Sequence, residues 1–277
     1  MEVSMLPSFV LALREGLEAA LIIGIVLGAL RKIHRAELGR HVWLGTLSAV
    51  VISVFLALVL RSVGLSLEGT AEAVFEGITM LLAAGVLTWM IFWMSSQARH
   101  IKAELETGVR RAVFEGGQTA LFSLAFLAVM REGIELALFL TAASLATDSQ
   151  QVLGGALLGL GTSALLGWSL FASIVKLDLR RFFQVTGLLL ILFAAGLVAH
   201  GVHEFNEAGW IPSVIEHVWD INFLVNEDSI VGQVLSALFG YNGNPSLTEV
   251  IAYLGYFAAM AIGYRLSRSS IRTTQQA

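Results

Sequence analysis

Two stretches of this sequence place the same charged residues inside otherwise apolar segments. Residues 14–18 read Arg-Glu-Gly-Leu-Glu, and residues 131–135 read Arg-Glu-Gly-Ile-Glu. On a helix, the Arg and the second Glu of each motif are one turn apart, and both Glu residues share a face. Carboxylate oxygens bind hard cations, with charge and geometry selecting among them. The motifs therefore predict a cation site with the metal ligands Glu15, Glu18, Glu132 and Glu135 and the supporting ion pairs of Arg14 and Arg131.

The composition predicts that most of the chain faces lipid. Of the 277 residues, 56% are hydrophobic and 14% are charged, and the mean hydropathy is +0.78. A soluble globular protein has about 25% charged residues, so a water-facing surface on every side is excluded. The absence of cysteine excludes disulfides and thiolate metal sites.

Seven stretches are long enough to cross a bilayer, since a spanning helix needs about 20 mostly apolar residues. They are residues 7–30, 43–63, 71–94, 119–145, 152–175, 182–202 and 247–266. We therefore predict an all-α polytopic membrane protein with seven transmembrane helices, in which residues 1–277 form a single transmembrane domain.

The basic residues predict the orientation, because Lys and Arg concentrate on the cytoplasmic side. Of the 17 Lys and Arg residues, 14 follow the first, third, fifth and seventh stretches. The connection 204–246 has six acidic residues and no Lys or Arg. The N-terminus is thus expected outside and the C-terminus in the cytoplasm, with the acidic loop 204–246 outside.

The first three stretches match the second three, which predicts an internal repeat. The charged motifs are 117 residues apart, Leu-Gly-Thr at 44–46 recurs at 160–162, and Leu-Leu-Ala-Ala-Gly at 81–85 resembles Leu-Phe-Ala-Ala-Gly at 192–196. Repeat 1 (about 7–94) and repeat 2 (about 117–203) have three spans each, so they cross the membrane in opposite directions. The seventh helix, about 247–266, lies outside the repeat. Transporters with inverted repeats bind substrate near the midplane, where both motifs are expected.

A purely structural role for the motifs is the main alternative. In that reading, the Arg–Glu pairs only hold the helices together. Each central charge costs roughly 2.5–3.5 kcal/mol on the insertion scale. The structural reading leaves Glu15 and Glu132 unpaired at that cost, and it is therefore less favoured than a cation site.

The doubled motif, in the first and fourth of seven spans, resembles the oxidase-dependent iron transporters, which include fungal high-affinity iron permeases and bacterial EfeU-type permeases. The resemblance implies a permease that carries Fe³⁺ or Fe²⁺ across the plasma membrane or the bacterial inner membrane. It implies that the four motif Glu residues contact iron and that both motif Arg residues support them. It also implies an outer-side protein that oxidises or delivers iron. Iron is then a substrate, and no prosthetic group or nucleic acid is expected.

Further polar residues predict where an ion enters and leaves. At the outer end of the sixth stretch, a helical stripe of metal-binding side chains could capture the ion or simply face water. Its members are His200, His203, Glu204 and Glu207. Glu72 and Glu76 begin the third stretch on the same side, while Glu104 and Glu106 lie in a basic inner loop, where ordinary ion pairing is the alternative.

The identity of the ion stays open on the residues alone, because manganese, zinc or calcium transport and cation/proton exchange would use similar ligands. An intramembrane enzyme is not expected, since there is no His-Glu-x-x-His motif and no Asp within a predicted span. Trp89 and Trp93 are interpreted as membrane-interface anchors.

Overall fold

The computed structural model describes residues 5–97, 101–171, 178–226 and 229–274, and these ranges contain helices joined by turns and loops, with no β-strand. Within them lie nine α-helices: α1 (Leu6–Lys32), α2 (Gly39–Ser66), α3 (Thr70–Gln97), α4 (Ile101–Arg111), α5 (Gly117–Ala146), α6 (Ser149–Phe171), α7 (Leu179–Glu207), α8 (Ile230–Phe239) and α9 (Leu247–Thr274). The predicted all-α class is confirmed. Each of the seven predicted stretches lies in one long helix, except that 172–175 fall outside the described residues.

Five helices of the described chain are long and apolar enough to cross a membrane. They cover Ala36–Ser66, Thr70–Met94, Ser149–Phe171, Arg181–Glu207 and Leu247–Leu266. The other two long helices, α1 and α5, have 27 and 30 residues, or about 40 Å and 45 Å at 1.5 Å per residue. Each contains one Arg and two Glu of a charged motif, and for this reason hydropathy does not single them out.

The outward face of α2 shows the multi-pass membrane character of the protein. Leu47, Val51, Phe55 and Leu58 recur about one turn apart and are all exposed. A continuous apolar face of this length is unfavourable in water, and it matches the hydrocarbon of a bilayer.

The main helix contacts run between the first three long helices and the next three. The most extensive contacts pair α1 with α6, α2 with α5 and α3 with α7, while neighbours along the chain touch far less. Helices α1 and α6 run parallel, because Gly155 lies against Phe9 near one end and Gly24 against Phe171 near the other. Helices α3 and α7 are antiparallel, with Gly77 against the carbonyl of Gly201.

One glycine of α2 and one glycine of α6 make similar close contacts with a neighbouring helix. A Cβ at Gly45 would approach the carbonyl of Phe122 in α5, and a Cβ at Gly155 would approach the carbonyl of Met5 beside α1. Gly45 and Gly155, which are 110 residues apart, thus make contacts of the same kind. Gly161, which the sequence match at an offset of 116 places opposite Gly45, makes no such contact, since a Cβ there would meet nothing within 4 Å.

Two short helices occupy segments predicted only as loops. Helix α4 lies in the connection between α3 and α5, and its Val109 is buried in one apolar cluster with Val26 and Leu30 of α1. Helix α8 lies in the connection 204–246 and ends at Gly240, whose φ of +66° suits glycine. Gly240 packs on Gly196, eleven residues before α7 ends. The connection therefore folds back along α7 rather than standing clear of it.

Candidate metal centre

Each motif forms the ion pair that its spacing predicts. Arg14 Nε donates to Glu18 Oε1 at 3.0 Å, and Arg131 Nε donates to Glu135 Oε1 at 2.9 Å. Both pairs join residues one helical turn apart. Each Arg thus compensates the second Glu of its own motif, and the first Glu of each motif has no such partner within it.

Three of the four motif carboxylates converge between α1 and α5. Glu15, Glu132 and Glu135 are buried, and one oxygen from each lies within 4.8 Å of the others. Ligands on opposite sides of a cation such as Mg²⁺ or Ca²⁺ are about 4–5 Å apart, so one cation can contact all three residues with little movement. Glu18 is also buried but is held by Arg14 at the edge of this group.

The oxygens of this cluster lack partners that would offset their burial. Both oxygens of Glu15, and Oε2 of Glu132 and of Glu135, have no hydrogen bond. A buried carboxylate oxygen without a donor is costly. A bound cation would remove that cost, and the donor set therefore fits a hard metal ion.

The glycine of each motif allows close packing of a flanking helix, and not of the helix that carries the other motif. A Cβ on Gly16 would overlap Ser163 of α6, and a Cβ on Gly133 would overlap Ser53 of α2. The two contacts are equivalent, since each joins a motif glycine to a serine whose hydroxyl bonds its own helix backbone. Each glycine is thus required by a serine of a flanking helix, and not by the other motif.

The two motif arginines have different surroundings. Arg14 is enclosed, with its Nη2 2.9 Å from Met94 Sδ and its guanidinium 5.9 Å from the centre of the Phe183 ring. Arg131 is partly exposed and lies over two indoles, 4.4 Å from Trp93 and 5.2 Å from Trp89. Interpreting these two tryptophans only as interface anchors missed their contact with the motif.

The predicted outer residues are brought together by α3 and α7. Glu204 of α7 interacts electrostatically with Glu76 and Glu72 of α3 and with Glu207. His200 Nδ1 lies 3.0 Å from the carbonyl of Gly196 one turn earlier. The acidic side chains of the two helices therefore form one group, which the sequence predicts to lie on the outer side.

His203 contacts carboxylates through both ring nitrogens. Nδ1 is 3.0 Å from Glu249 Oε1, and Nε2 is 3.3 Å from Glu207 Oε1. Glu249 is buried and also accepts from Asn242 Nδ2 and from the backbone of Ser246. Sequence reasoning missed Glu249, although an acid in the first turn of the seventh predicted span was a visible signal.

The predicted inner residues lie on α4. Glu106 Oε2 is 4.0 Å from Lys32 Nζ at the end of α1, and Glu104 is exposed. These acids are on the opposite side of the bundle from the α3–α7 group. The Lys32 contact is an ordinary ion pair, although with a partner that the sequence did not suggest.

Comparison with known proteins identifies relatives along nearly the whole chain. The sequence profile described as "Iron permease FTR1 family" matches residues 5–274. The chain is 34% identical over 269 residues to the ferrous iron permease EfeU of Shigella sonnei and to that of Escherichia coli O157:H7, covering 95% of this chain and 96% of each relative. It is 34% identical over 259 residues to the ferrous iron permease EfeU of Yersinia pestis, covering 91% and 90%. No solved structure matches.

Proposed function

Because this chain belongs to the iron permease FTR1 family, we propose that it carries iron across the cytoplasmic membrane through a site built from its two Arg-Glu-Gly-x-Glu motifs. The observation that carries the proposal is the convergence of Glu15, Glu132 and Glu135 between two helices, where each residue has a buried oxygen without a hydrogen bond. Family membership indicates a transporter and not an enzyme. Iron is the transported substrate.

The charge of the site favours a divalent ion. Four carboxylates and two guanidiniums leave a formal charge of −2. Since Glu18 and Glu135 are each paired with an arginine, Glu15 and Glu132 supply that charge. Fe²⁺ would bring it to zero, whereas Fe³⁺ would leave an excess positive charge in a low-dielectric interior. Ferrous iron is also the ion in the names of the relatives.

We further propose seven spans arranged as two inverted repeats of three, followed by α9. The equivalent contacts of Gly45 and Gly155, and those of Gly16 and Gly133, support this arrangement. The basic residues of alternate connections support an outer N-terminus and a cytoplasmic C-terminus. On this orientation, iron enters past the acidic group of α3 and α7 and leaves near Glu104 and Glu106.

The outer side would also be where a partner delivers iron. In this arrangement, the acidic residues at the ends of α3 and α7 and the connection to α9 face that partner.

The experiment that tests iron transport is the uptake of radioactive iron from the outer side into proteoliposomes containing the purified protein.

The variant for this experiment is Glu15→Gln combined with Glu132→Gln, which keeps side-chain volume and removes both uncompensated charges. Saturable uptake of Fe²⁺ is expected to fall to the background of protein-free liposomes. Glu37→Gln, at an exposed acid of the inner surface, is the matched control and should retain full uptake. Excess unlabelled Mn²⁺, Zn²⁺, Ca²⁺ or Fe²⁺ is added as a competitor to the wild-type protein. If one of the other ions inhibits the uptake of radioactive iron more strongly than Fe²⁺ does, that ion replaces iron as the proposed substrate.

A further inference from the structure

Two tryptophans of α3 form an aromatic support for the arginine of the second motif. Trp89 and Trp93 are one helical turn apart, and their rings are 6.4 Å apart at an interplanar angle of 31°. The Arg131 guanidinium lies 4.4 Å from the centre of one ring and 5.2 Å from the other. Both distances are within the range of about 6 Å in which a cation is attracted to an aromatic face.

Arg131 needs this support more than its counterpart does. Its side chain is 33% exposed, whereas that of Arg14 is 1% exposed. Surrounding groups enclose Arg14, so it has little room to move. A long cationic side chain at the edge of a bundle can instead turn its charged end toward the membrane surface. The indole faces oppose that movement.

The position of Arg131 matters because of what it holds. Its Nε donates to Glu135 Oε1, while Oε2 of Glu135 has no hydrogen bond, and one oxygen of this carboxylate belongs to the cluster. If the guanidinium left, Glu135 would lose its compensating charge, and the third carboxylate of the cluster would no longer be fixed.

We propose that Trp89 and Trp93 are positioning residues for ion binding, which hold Arg131 against Glu135 and so keep the Glu135 carboxylate beside Glu15 and Glu132. The inference rests on the proposed function. It makes the second motif the adjustable half of the site, because its arginine is held by stacking at an exposed edge while Arg14 is enclosed.

The first test separates an effect on the apparent KM for Fe²⁺ from an effect on the maximal rate of uptake. In proteoliposomes, Trp93→Leu should raise the apparent KM for Fe²⁺ about tenfold with the maximal rate nearly kept. Tenfold corresponds to about 1.4 kcal/mol, which lies between the values for exposed and for desolvated cation–π contacts, as suits the partly exposed Arg131. Trp93→Phe keeps an aromatic face and should stay within about twofold of the wild type. Trp168→Leu, at an exposed ring of α6, is the matched control with no expected change.

An unchanged KM in Trp93→Leu, or an equal defect in Trp93→Phe, would overturn the proposal. If Trp93→Leu fails to reach the membrane, Trp89→Leu serves as the second variant, because that ring is more exposed and farther from Arg131. Its expected rise in KM is about threefold, as for a weaker cation–π contact, and no rise would count against the proposal.

The second test does not depend on transport. Thermal unfolding of purified protein without iron is compared for Trp93→Leu, Arg131→Gln and the double variant. If the ring acts on Arg131, Trp93→Leu should lower the melting temperature much less in the Arg131→Gln background. Equal losses in both backgrounds would refute the contact. A wild type that takes up no iron would refute the proposed function alone, since the coupling is measured without iron.

Discussion

The carboxylates of Glu15 and Glu132 meet although their residues are 117 positions apart in the chain. One oxygen of each lies within 4.8 Å of the other and of Glu135. Helices α1 and α5 bring them together, and the motif glycines let the flanking helices α6 and α2 pack closely. The stability and the iron binding expected of this protein depend largely on these two neighbouring carboxylates, which no arginine compensates.

Replacing Glu15 with Gln should stabilise the iron-free protein. Both oxygens of Glu15 are buried without a partner, and removing an uncompensated buried charge relieves a cost of about 1–3 kcal/mol. Thermal unfolding in detergent measures the change, with Glu37→Gln as the control. Adding Fe²⁺ should then raise the melting temperature of the wild type and leave that of Glu15→Gln nearly constant. A less stable iron-free variant would contradict this account.

The two arginines should differ in their contribution to stability. Arg14→Gln leaves Glu18 buried without its partner, which costs about 3–5 kcal/mol for a buried pair. Arg131→Gln should cost less, because Arg131 is more exposed and water can screen the loss. Chemical unfolding of both variants gives the comparison. Combining Arg14→Gln with Glu18→Gln should recover part of the loss, and no recovery would argue against the pair as its cause.

Gly133 of the second motif should tolerate no larger residue unless Ser53 is replaced by a smaller one. Gly133→Ala would overlap the side chain of Ser53 and is expected to reduce both iron uptake and stability. Ser53→Gly in the same chain removes that overlap and should restore part of both. Gly85→Ala is the control, because its Cβ would meet nothing within 4 Å. If the double variant is no better than Gly133→Ala, the close packing of α2 on α5 is not the reason.

His203 should act mainly as a structural tie between α7 and α9. His203→Ala removes the contacts to Glu249 and Glu207 and leaves buried Glu249 with fewer partners, at a cost of about 1–3 kcal/mol in the free energy of unfolding.

The acidic residues of α3 and α7 should instead act on iron binding. The double variant Glu76→Gln with Glu204→Gln should keep the stability of the wild type and raise the KM for iron, because it weakens the attraction of the cation at the outer side. Unfolding and uptake measured on both variants separate the roles. Unchanged stability in His203→Ala would favour direct ion capture.

The absence of cysteine makes the proposed orientation testable by labelling. A single cysteine at exposed Phe223, in the connection between α7 and α9, should react in intact cells with a maleimide that cannot cross membranes. A single cysteine at exposed Glu37, between α1 and α2, should react only after the membrane is opened. The reverse labelling pattern would show that the protein has the opposite orientation in the membrane.

The locations of the long helices could be predicted because apolar length is a local property of the sequence. The pairing of Arg14 with Glu18 and of Arg131 with Glu135 could also be predicted, since one helical turn fixes it. Helices α4 and α8 were missed because each is short, with 11 and 10 residues, and neither has the length of a span. Their existence depends on the bundle surfaces against which they pack.

The contacts of Trp93 with Arg131 and of His203 with Glu249 could not be predicted. Each depends on how far one helix is displaced along another, and helical periodicity contains no information about that displacement. The alignment of α2 with α6 could not be predicted for the same reason. Leu, Gly and Thr recur often in apolar helices, and the similarity of Gly45 to Gly155 is recognised only by what they touch.

The crossed pairing of α1 with α6 and of α2 with α5 limits how this molecule can change shape. Swinging the first three helices away from the next three as one block would separate every extensively packed pair and pull Glu15 from Glu132. Helices α3 and α7 pack on each other, and each supplies a ring to one motif arginine, Trp93 to Arg131 and Phe183 to Arg14. We therefore expect any opening of the molecule to leave α1, α2, α5 and α6 joined as one framework and to keep the rings of α3 and α7 on the motif arginines.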